Sequence, residues 1–176
     1  MRVIGGEFRS RRVKPVPGSH VRPTPDRLRE TLFDVLAPRI EGVTFLDAYA
    51  GSGAVGIEAL SRGAARAIFI EKNPAALRTI RENLQSLGLE ERTTVVAGKA
   101  VTALARHTDG IVFLDPPYEL DFEYSYALAA LGETPPPLVV AQHSVRQKLR
   151  DDYGRLHRVR LLKQGDNILS FYELES

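Results

Sequence analysis

The chain has 176 residues, 43% apolar and 26% charged, which suits one domain of ordinary size able to build a core without staples. It has no cysteine, which excludes a disulfide scaffold, a thiolate metal site and a cysteine nucleophile. Its four histidines (His20, His107, His143, His157) lack metal-ligand spacing, and no apolar run reaches the ~18–20 residues of a membrane span. No apolar leader follows Met1, so a cytoplasmic protein with no metal and no membrane partner is expected.

The net charge of +2 conceals an asymmetry. Residues 1–29 hold eight basic side chains (Arg2, Arg9, Arg11, Arg12, Lys14, Arg22, Arg27, Arg29) against Glu7 and Asp26. That segment is +6, and the remaining 147 residues sum to −4. A basic arm on a mildly acidic body suits a polyanion docked through one face. The plainer alternative is a charged edge strand.

In chain order, residues 2–5 and 8–14 read as short strands of a hairpin joined at Gly5-Gly6-Glu7. Thr24-Pro25-Asp26 opens a helix with Thr24 as its cap, and Pro38 ends it. Segments 43–47, 66–71, 93–97, 110–115 and 138–142 are short, apolar and β-branched, the pattern of strands buried on both faces of a parallel sheet. Helices are expected at 54–62, from Asn73-Pro74 to Gly88, near 99–106 and at 122–131. Segments 155–164 and 167–174 flank Gly165-Asp166 as an antiparallel hairpin. The expected fold is α/β: a doubly wound, mostly parallel, Rossmann-like sheet of seven strands. It carries an antiparallel C-terminal hairpin and a small N-terminal β-hairpin plus helix. Residues 1–40 form that attachment and 41–176 the main domain.

The first sheet strand runs into Asp47-Ala-Tyr49-Ala-Gly51-Ser52-Gly53-Ala-Val-Gly56, a G-x-G-x-x-G turn between strand and helix. Glu71 ends the next strand, placed to accept hydrogen bonds from two ribose hydroxyls. An adenosine-type cofactor is expected over these strand ends; the plainer reading is a turn whose glycines serve packing. Dinucleotide and nucleoside both remain open, and Asp47 tilts the choice. A carboxylate beside the loop crowds a pyrophosphate but suits the cationic tail of S-adenosylmethionine.

The fourth strand ends Asp115-Pro116-Pro117-Tyr118. The prolines fix φ and donate no N–H, so their carbonyls can face a cleft. Asp115 with the Pro116 carbonyl makes an acceptor pair for an exocyclic amino group, and Tyr118 offers a π-face for a base. The plainer reading is a proline-stopped strand with a capping acid.

These blocks, with Arg22-Pro-Thr-Pro-Asp-Arg-Leu-Arg-Glu30-Thr-Leu-Phe33 and Arg2-Val-Ile-Gly-Gly before them, resemble the bacterial 16S rRNA guanine-N2 methyltransferases, the RsmD family. The resemblance spans nearly the whole chain. It implies a class I S-adenosylmethionine-dependent enzyme that methylates the N2 amino group of one guanine of 16S rRNA (966 in the family's usage) in an assembling 30S subunit. By motif, Asp47, Tyr49, Gly51, Ser52 and Gly53 line the methionine end of the cofactor. Glu71 and Lys72 lie at the ribose, and Asp115 to Tyr118 hold the guanine. Thr24 and its helix close over the cofactor. Arg9, Arg11, Arg12 and Arg22 meet RNA as part of a monomer; alternation on a strand would set Arg9 and Arg11 on one face and Arg12 on the other.

Two departures from the family pattern stand out. Gly98-Lys99-Ala100 replaces a polar side chain near the adenine, so recognition there must use backbone. Gln142-His143 ends the fifth strand where an acid is common. A second basic run at 146–163 ranks below the arm, because strand 155–164 falls on the edge away from the expected cleft. The rival readings are a DNA adenine or cytosine amino-methyltransferase, disfavoured by the lack of room for a target-recognition domain, and a non-catalytic RNA-binding assembly factor. A nicotinamide-dependent oxidoreductase is disfavoured by Asp47 and Asp115.

Overall fold

A computed structural model describes residues 1–19, 23–117 and 120–176. Its elements are α1 (Asp26–Ile40), β1 (Thr44–Asp47), α2 (Ala54–Ser61), β2 (Arg66–Glu71), α3 (Pro74–Leu87), β3 (Thr93–Ala97) and α4 (Ala100–Leu104). They continue with β4 (Ile111–Leu114), α5 (Phe122–Glu133), β5 (Leu138–Ser144), β6 (Asp152–Tyr153), β7 (Leu156–Gln164) and β8 (Asn167–Leu174). The strands form one sheet in the order β3-β2-β1-β4-β5-β8-β7-β6. The first five are parallel, and β8, β7 and β6 add on antiparallel. Eight strands replace the expected seven, because Asp152 and Tyr153 add a two-residue pairing on His157 and Leu156.

Side chains alternate across this sheet with the two-residue period of a strand. Phe45, Phe69, Phe113, Val140 and Phe171 pack with α1, α2 and α3 on one face. Leu46, Ile70, Val112, Leu114, Val139 and Tyr172 pack with α4 and α5 on the other. The central strand β4 is buried throughout, whereas β3, at the sheet edge, is partly open to water. Burial of both faces holds for the centre and fails at the edge.

Helix ends follow the local chemistry unevenly. Asn73 caps α3 by accepting from the Ala75 and Ala76 amides, Pro74 opens the helix, and Gly88 closes it in the left-handed region. Thr24 does not cap α1. Pro25 takes that position without a side-chain bond, and the Thr24 hydroxyl turns to Asp115 instead. Nor does Pro38 stop α1, which runs on to Ile40. A proline this late removes one intrahelical donor, and Leu36 and Ile40, both buried, hold the last turn to the core.

The N-terminal hairpin is the larger correction. Its two arms share one β-bridge, Arg2 with Arg12, and residues 5–10 are turns rather than strand. The backbone donors of Ile4, Gly5, Glu7 and Phe8 go to α2. The Glu58 carboxylate accepts from Ile4 and Gly5, the Ser61 hydroxyl from Phe8, and the Ser61 carbonyl from Glu7. Arg29, fully buried, donates to the Arg2 carbonyl and to Asp26, and lies 3.7 Å from Glu58. A buried carboxylate in an otherwise apolar helix therefore anchors the arm. With residues 6–10 in turns and Ser10 at φ 70°, strand alternation does not apply, and Arg9, Arg11 and Arg12 are all exposed.

Candidate active site

β1 and β4 are neighbours where the strand order reverses, and the loops leaving their carboxyl ends enclose a crevice there. A cleft of about 1070 Å³ is walled by Tyr49, Gly51, Glu71, Lys72, Gly98, Lys99, Ala100, Asp115 and Pro117. A smaller pocket of about 200 Å³ shares Tyr49, Gly51 and Asp115 and adds Thr24, Asp47 and Ser52. The structure thus brings these residues together. Gly53 is not among them: at φ 85° it turns the chain into α2 and packs against Phe69 and Ile80. Pro116 is buried behind the wall, and Tyr118 and Arg22 lie outside the described residues.

The glycine loop is held by acids. The Gly51 amide donates to Glu71 at 2.9 Å, and the Gly56 amide donates to Asp47 at 3.0 Å. The Gly53 amide donates to the Ala50 carbonyl at 2.8 Å. Glu71 also accepts from the Lys72 and Asn73 amides at 2.9 and 2.8 Å. Amides that cradle a phosphate in dinucleotide sites are here engaged by the chain's own oxygens. A pyrophosphate would meet two carboxylates rather than free donors. Of the two ligands compatible with the glycine pattern, the dinucleotide is the one disfavoured.

Gly51, at φ 56°, has open space where a Cβ would stand, so its backbone faces the cleft directly. Gly56 differs: a Cβ there would lie 2.3 Å from the Phe69 ring, which makes it a helix–sheet packing glycine.

At the other wall, Asp115 leaves β4 two residues beyond Phe113, which is in register with Asp47. Burial and carboxylate repulsion act on both, Asp47 feeling Glu71 and Asp115 feeling Asp47. The Asp47 carboxyl is pushed up to about 7, first by burial, against the opposing Gly56 hydrogen bond. Asp115 is also pushed up to about 7, by burial and then by the Asp47 charge, while its Thr24 hydrogen bond pulls the other way. Two such carboxylates beside one pocket favour a cation between them. Tyr49 donates to Glu123 at 2.7 Å, and burial with that carboxylate holds the phenol far above its ordinary value.

Of the two proline carbonyls, that of Pro117 accepts from the Leu120 amide, so it is not a free acceptor for a base. The Gly98 amide donates to the Glu71 carbonyl, which leaves Lys99 and Ala100 as the backbone available beside it.

Sequence reasoning missed several contributors. Val16 to Ser19 cover one side of the cleft. Asn83 of α3 accepts from the Lys14 amide and donates to the carbonyls of Lys14 and Ser52, tying this strap to the glycine loop. A polar Asn on the buried stripe of an amphipathic helix was the available signal. Glu123 carried none, being one acid among several at the start of α5.

Among the described residues no helix is long and apolar enough to cross a membrane, and no group of three or more His, Asp or Glu is placed to hold a metal ion.

The family described as conserved hypothetical protein 95 matches this chain over residues 1–173. YlbH of Bacillus subtilis, an inferred rRNA methyltransferase, is 34% identical over 182 residues, covering 98% of each chain. Ribosomal RNA small subunit methyltransferase D of Escherichia coli is 47% identical over 121 residues, 67% of this chain and 60% of that enzyme. The solved structure of YhhF from Escherichia coli, an inferred methyltransferase, superposes with a TM-score of 0.86 at 35% identity, covering 99% of this chain and 98% of that one.

Proposed function

We propose that this chain, which belongs to the conserved hypothetical protein 95 family, is an rRNA methyltransferase that uses S-adenosylmethionine. The finer reading is transfer to the N2 amino group of one guanine of 16S rRNA, at position 966, in an assembling 30S subunit. The observation that carries it is the polar make-up of the cleft. Its loop amides are bound to Asp47 and Glu71, so the ligand-facing groups are carboxylates rather than phosphate-binding donors.

Those residues fit the cofactor. Glu71, fixed by three amides, keeps one lone-pair site, on Oε1, for a ribose hydroxyl. Asp47 makes the anionic end that the cationic methionine tail would satisfy. When bound, the cofactor supplies an electrophilic methyl group, so the protein needs no nucleophile of its own.

The remaining work is orientation. Asp115 and the Pro116 carbonyl accept the two amino hydrogens, which turns the nitrogen lone pair toward the methyl group. Such positioning can supply on the order of 7–11 kcal/mol in ideal cases. The proton released after transfer is acidic, and an Asp115 carboxylate whose affinity for protons is already raised is a suitable acceptor. The guanine must leave its stack to reach this wall.

The test is labelled S-adenosylmethionine incubated in parallel with naked 16S rRNA, 30S particles and duplex DNA. Label in guanine of rRNA or of 30S particles is expected. Label in DNA alone would transfer the reading to a DNA amino-methyltransferase, and no label with bound cofactor would leave an assembly factor. In the same assay, alanine at Arg9, Arg11 and Arg12 together should weaken RNA binding and lower its salt slope by roughly 0.7–0.9 per lost phosphate contact. An unchanged slope would reduce the arm to edge protection.

A further inference from the structure

Outside the cleft, the described surface carries one place where exposed aromatic rings and cations meet beside the site. Phe122 and Tyr126 are one helical turn apart at the start of α5, 53% and 60% exposed, with ring centroids 5.8 Å apart. Phe122 also lines the cleft. The helix is fixed there from the cleft side by the Tyr49–Glu123 hydrogen bond. From the other side, Gln147 donates to Asp121 and so holds the loop 144–150 against the same helix end. That loop exposes Arg146, Lys148 and Arg150.

This placement corrects the ranking of the second basic run. Its first part does not lie on the far edge with β7. It leaves the carboxyl end of β5, beside β4, at the end of the sheet where the cleft opens.

Resting on the reading as an rRNA methyltransferase, we propose that Phe122 and Tyr126, with Arg146 and Lys148 beside them, form the platform that holds unpaired RNA next to the target base. Exposed apolar side chains are ordinary when scattered. Two adjacent rings at a cleft rim, beside a cationic loop, present both surfaces that single-stranded RNA offers a partner: base faces to stack and phosphates to neutralise. Arg150 is set over the Tyr153 ring at 4.6 Å and is already engaged, which leaves Arg146 and Lys148 as the phosphate contacts. A protein partner would be met by the same rings without needing the cations. Charge complementarity therefore selects RNA.

The test compares wild type, Phe122→Ala/Tyr126→Ala, Phe122→Tyr/Tyr126→Phe and Arg146→Ala/Lys148→Ala. Each is titrated with a labelled single-stranded RNA carrying a central guanine and with 30S particles. S-adenosylhomocysteine affinity and thermal stability are measured alongside. Loss of both rings should weaken RNA binding about tenfold or more, with the aromatic exchange restoring it. Loss of the two cations should weaken binding at low salt and lower the salt slope. Cofactor affinity should be unchanged on loss of the two cations, neither of which lines the cleft.

If wild type binds RNA and the double alanine binds equally well, the platform is wrong and the enzymatic reading stands. If the double alanine loses only 30S binding, the rings meet a ribosomal protein, which overturns the RNA assignment. If wild type binds neither RNA nor 30S particles, the rRNA reading fails and the platform with it.

Discussion

The loop after β1 and the strand end after β4 face each other across one cleft and are built in opposite ways. In the first, Gly51, Gly53 and Gly56 each donate an amide to an oxygen of this chain, and Glu71 alone ties down three amides. In the second, among the described residues, Asp115 accepts a single side-chain hydrogen bond, from Thr24, at the long distance of 3.5 Å. One wall is preorganised before any ligand arrives, which lowers the ordering cost of binding. The other keeps its acceptor capacity for a group that changes during reaction. The difference separates holding a cofactor from orienting a reacting amino group, although both walls use carboxylates.

The sharpest way to break this comparison is Asp115→Ala. Because Asp115 serves orientation more than binding, methyl transfer should fall by about 10²–10³-fold, the loss seen when one preorganised polar partner of a transition state is removed. S-adenosylhomocysteine affinity measured by calorimetry should change far less. Equal losses in both would make Asp115 part of the binding wall.

Glu71 probes the opposite wall. Glu71→Ala should weaken S-adenosylhomocysteine binding by about 10–100-fold, the equivalent of hydrogen bonds to a charged partner worth ~1.5–3 kcal/mol. It should also lower the melting temperature, because the Gly51, Lys72 and Asn73 amides lose their acceptor. Glu71→Gln retains an acceptor and should recover most of the stability. If Glu71→Ala melts like wild type, the loop is not held as described.

That double duty explains what the sequence made legible and what it hid. The strand runs, the glycine turn and the acids at 47, 71 and 115 are local signals, and the sheet brings them to one crevice. Which amides those acids engage depends on pairs 9 and 20 residues apart closing in space, which no local pattern encodes. The hairpin was misread for a related reason. Residues 2–14 have strand-like composition, but the donors of Ile4, Gly5, Glu7 and Phe8 go to Glu58 and Ser61, more than fifty residues away. Of the proline carbonyls read as able to face the cleft, that of Pro117 accepts from the Leu120 amide, a partner that nothing in Asp-Pro-Pro announces.

A pH experiment sharpens the comparison through the carboxylate pair. Asp47 and Asp115 are both raised from an ordinary 3.8 to about 7 in the folded chain. Between about pH 4 and 7 the folded state therefore holds more protons than the unfolded state. Stability of the cofactor-free protein falls as pH rises through that window, by at most about 1.4 kcal/mol per pH unit for each carboxylate. Asp115→Asn should flatten the fall. Binding of S-adenosylmethionine near pH 6.5 should release protons, read by calorimetry in buffers of different ionisation enthalpy, because a cation favours the charged carboxylates. A melting temperature flat from pH 5 to 8 would mean that the pair is not buried and coupled as the structure has it.

The smallest expected effect belongs to Thr24, and it separates two roles for that residue. Its hydroxyl does not cap α1; it donates to Asp115 and favours the charged form of that carboxylate. Thr24→Val keeps the shape and removes the donor. At 3.5 Å this bond is weak, worth about 0.5–1.5 kcal/mol, so turnover should fall by only about two- to tenfold. Asp115 would then titrate higher, and the acid limb of the pH–rate profile should move to higher pH. Thr24→Ser restores the donor and should return the limb to its wild-type position. A strut that merely held the start of α1 would behave otherwise: Thr24→Val would lower the melting temperature and leave the pH profile in place, and the serine would rescue neither the limb nor the rate.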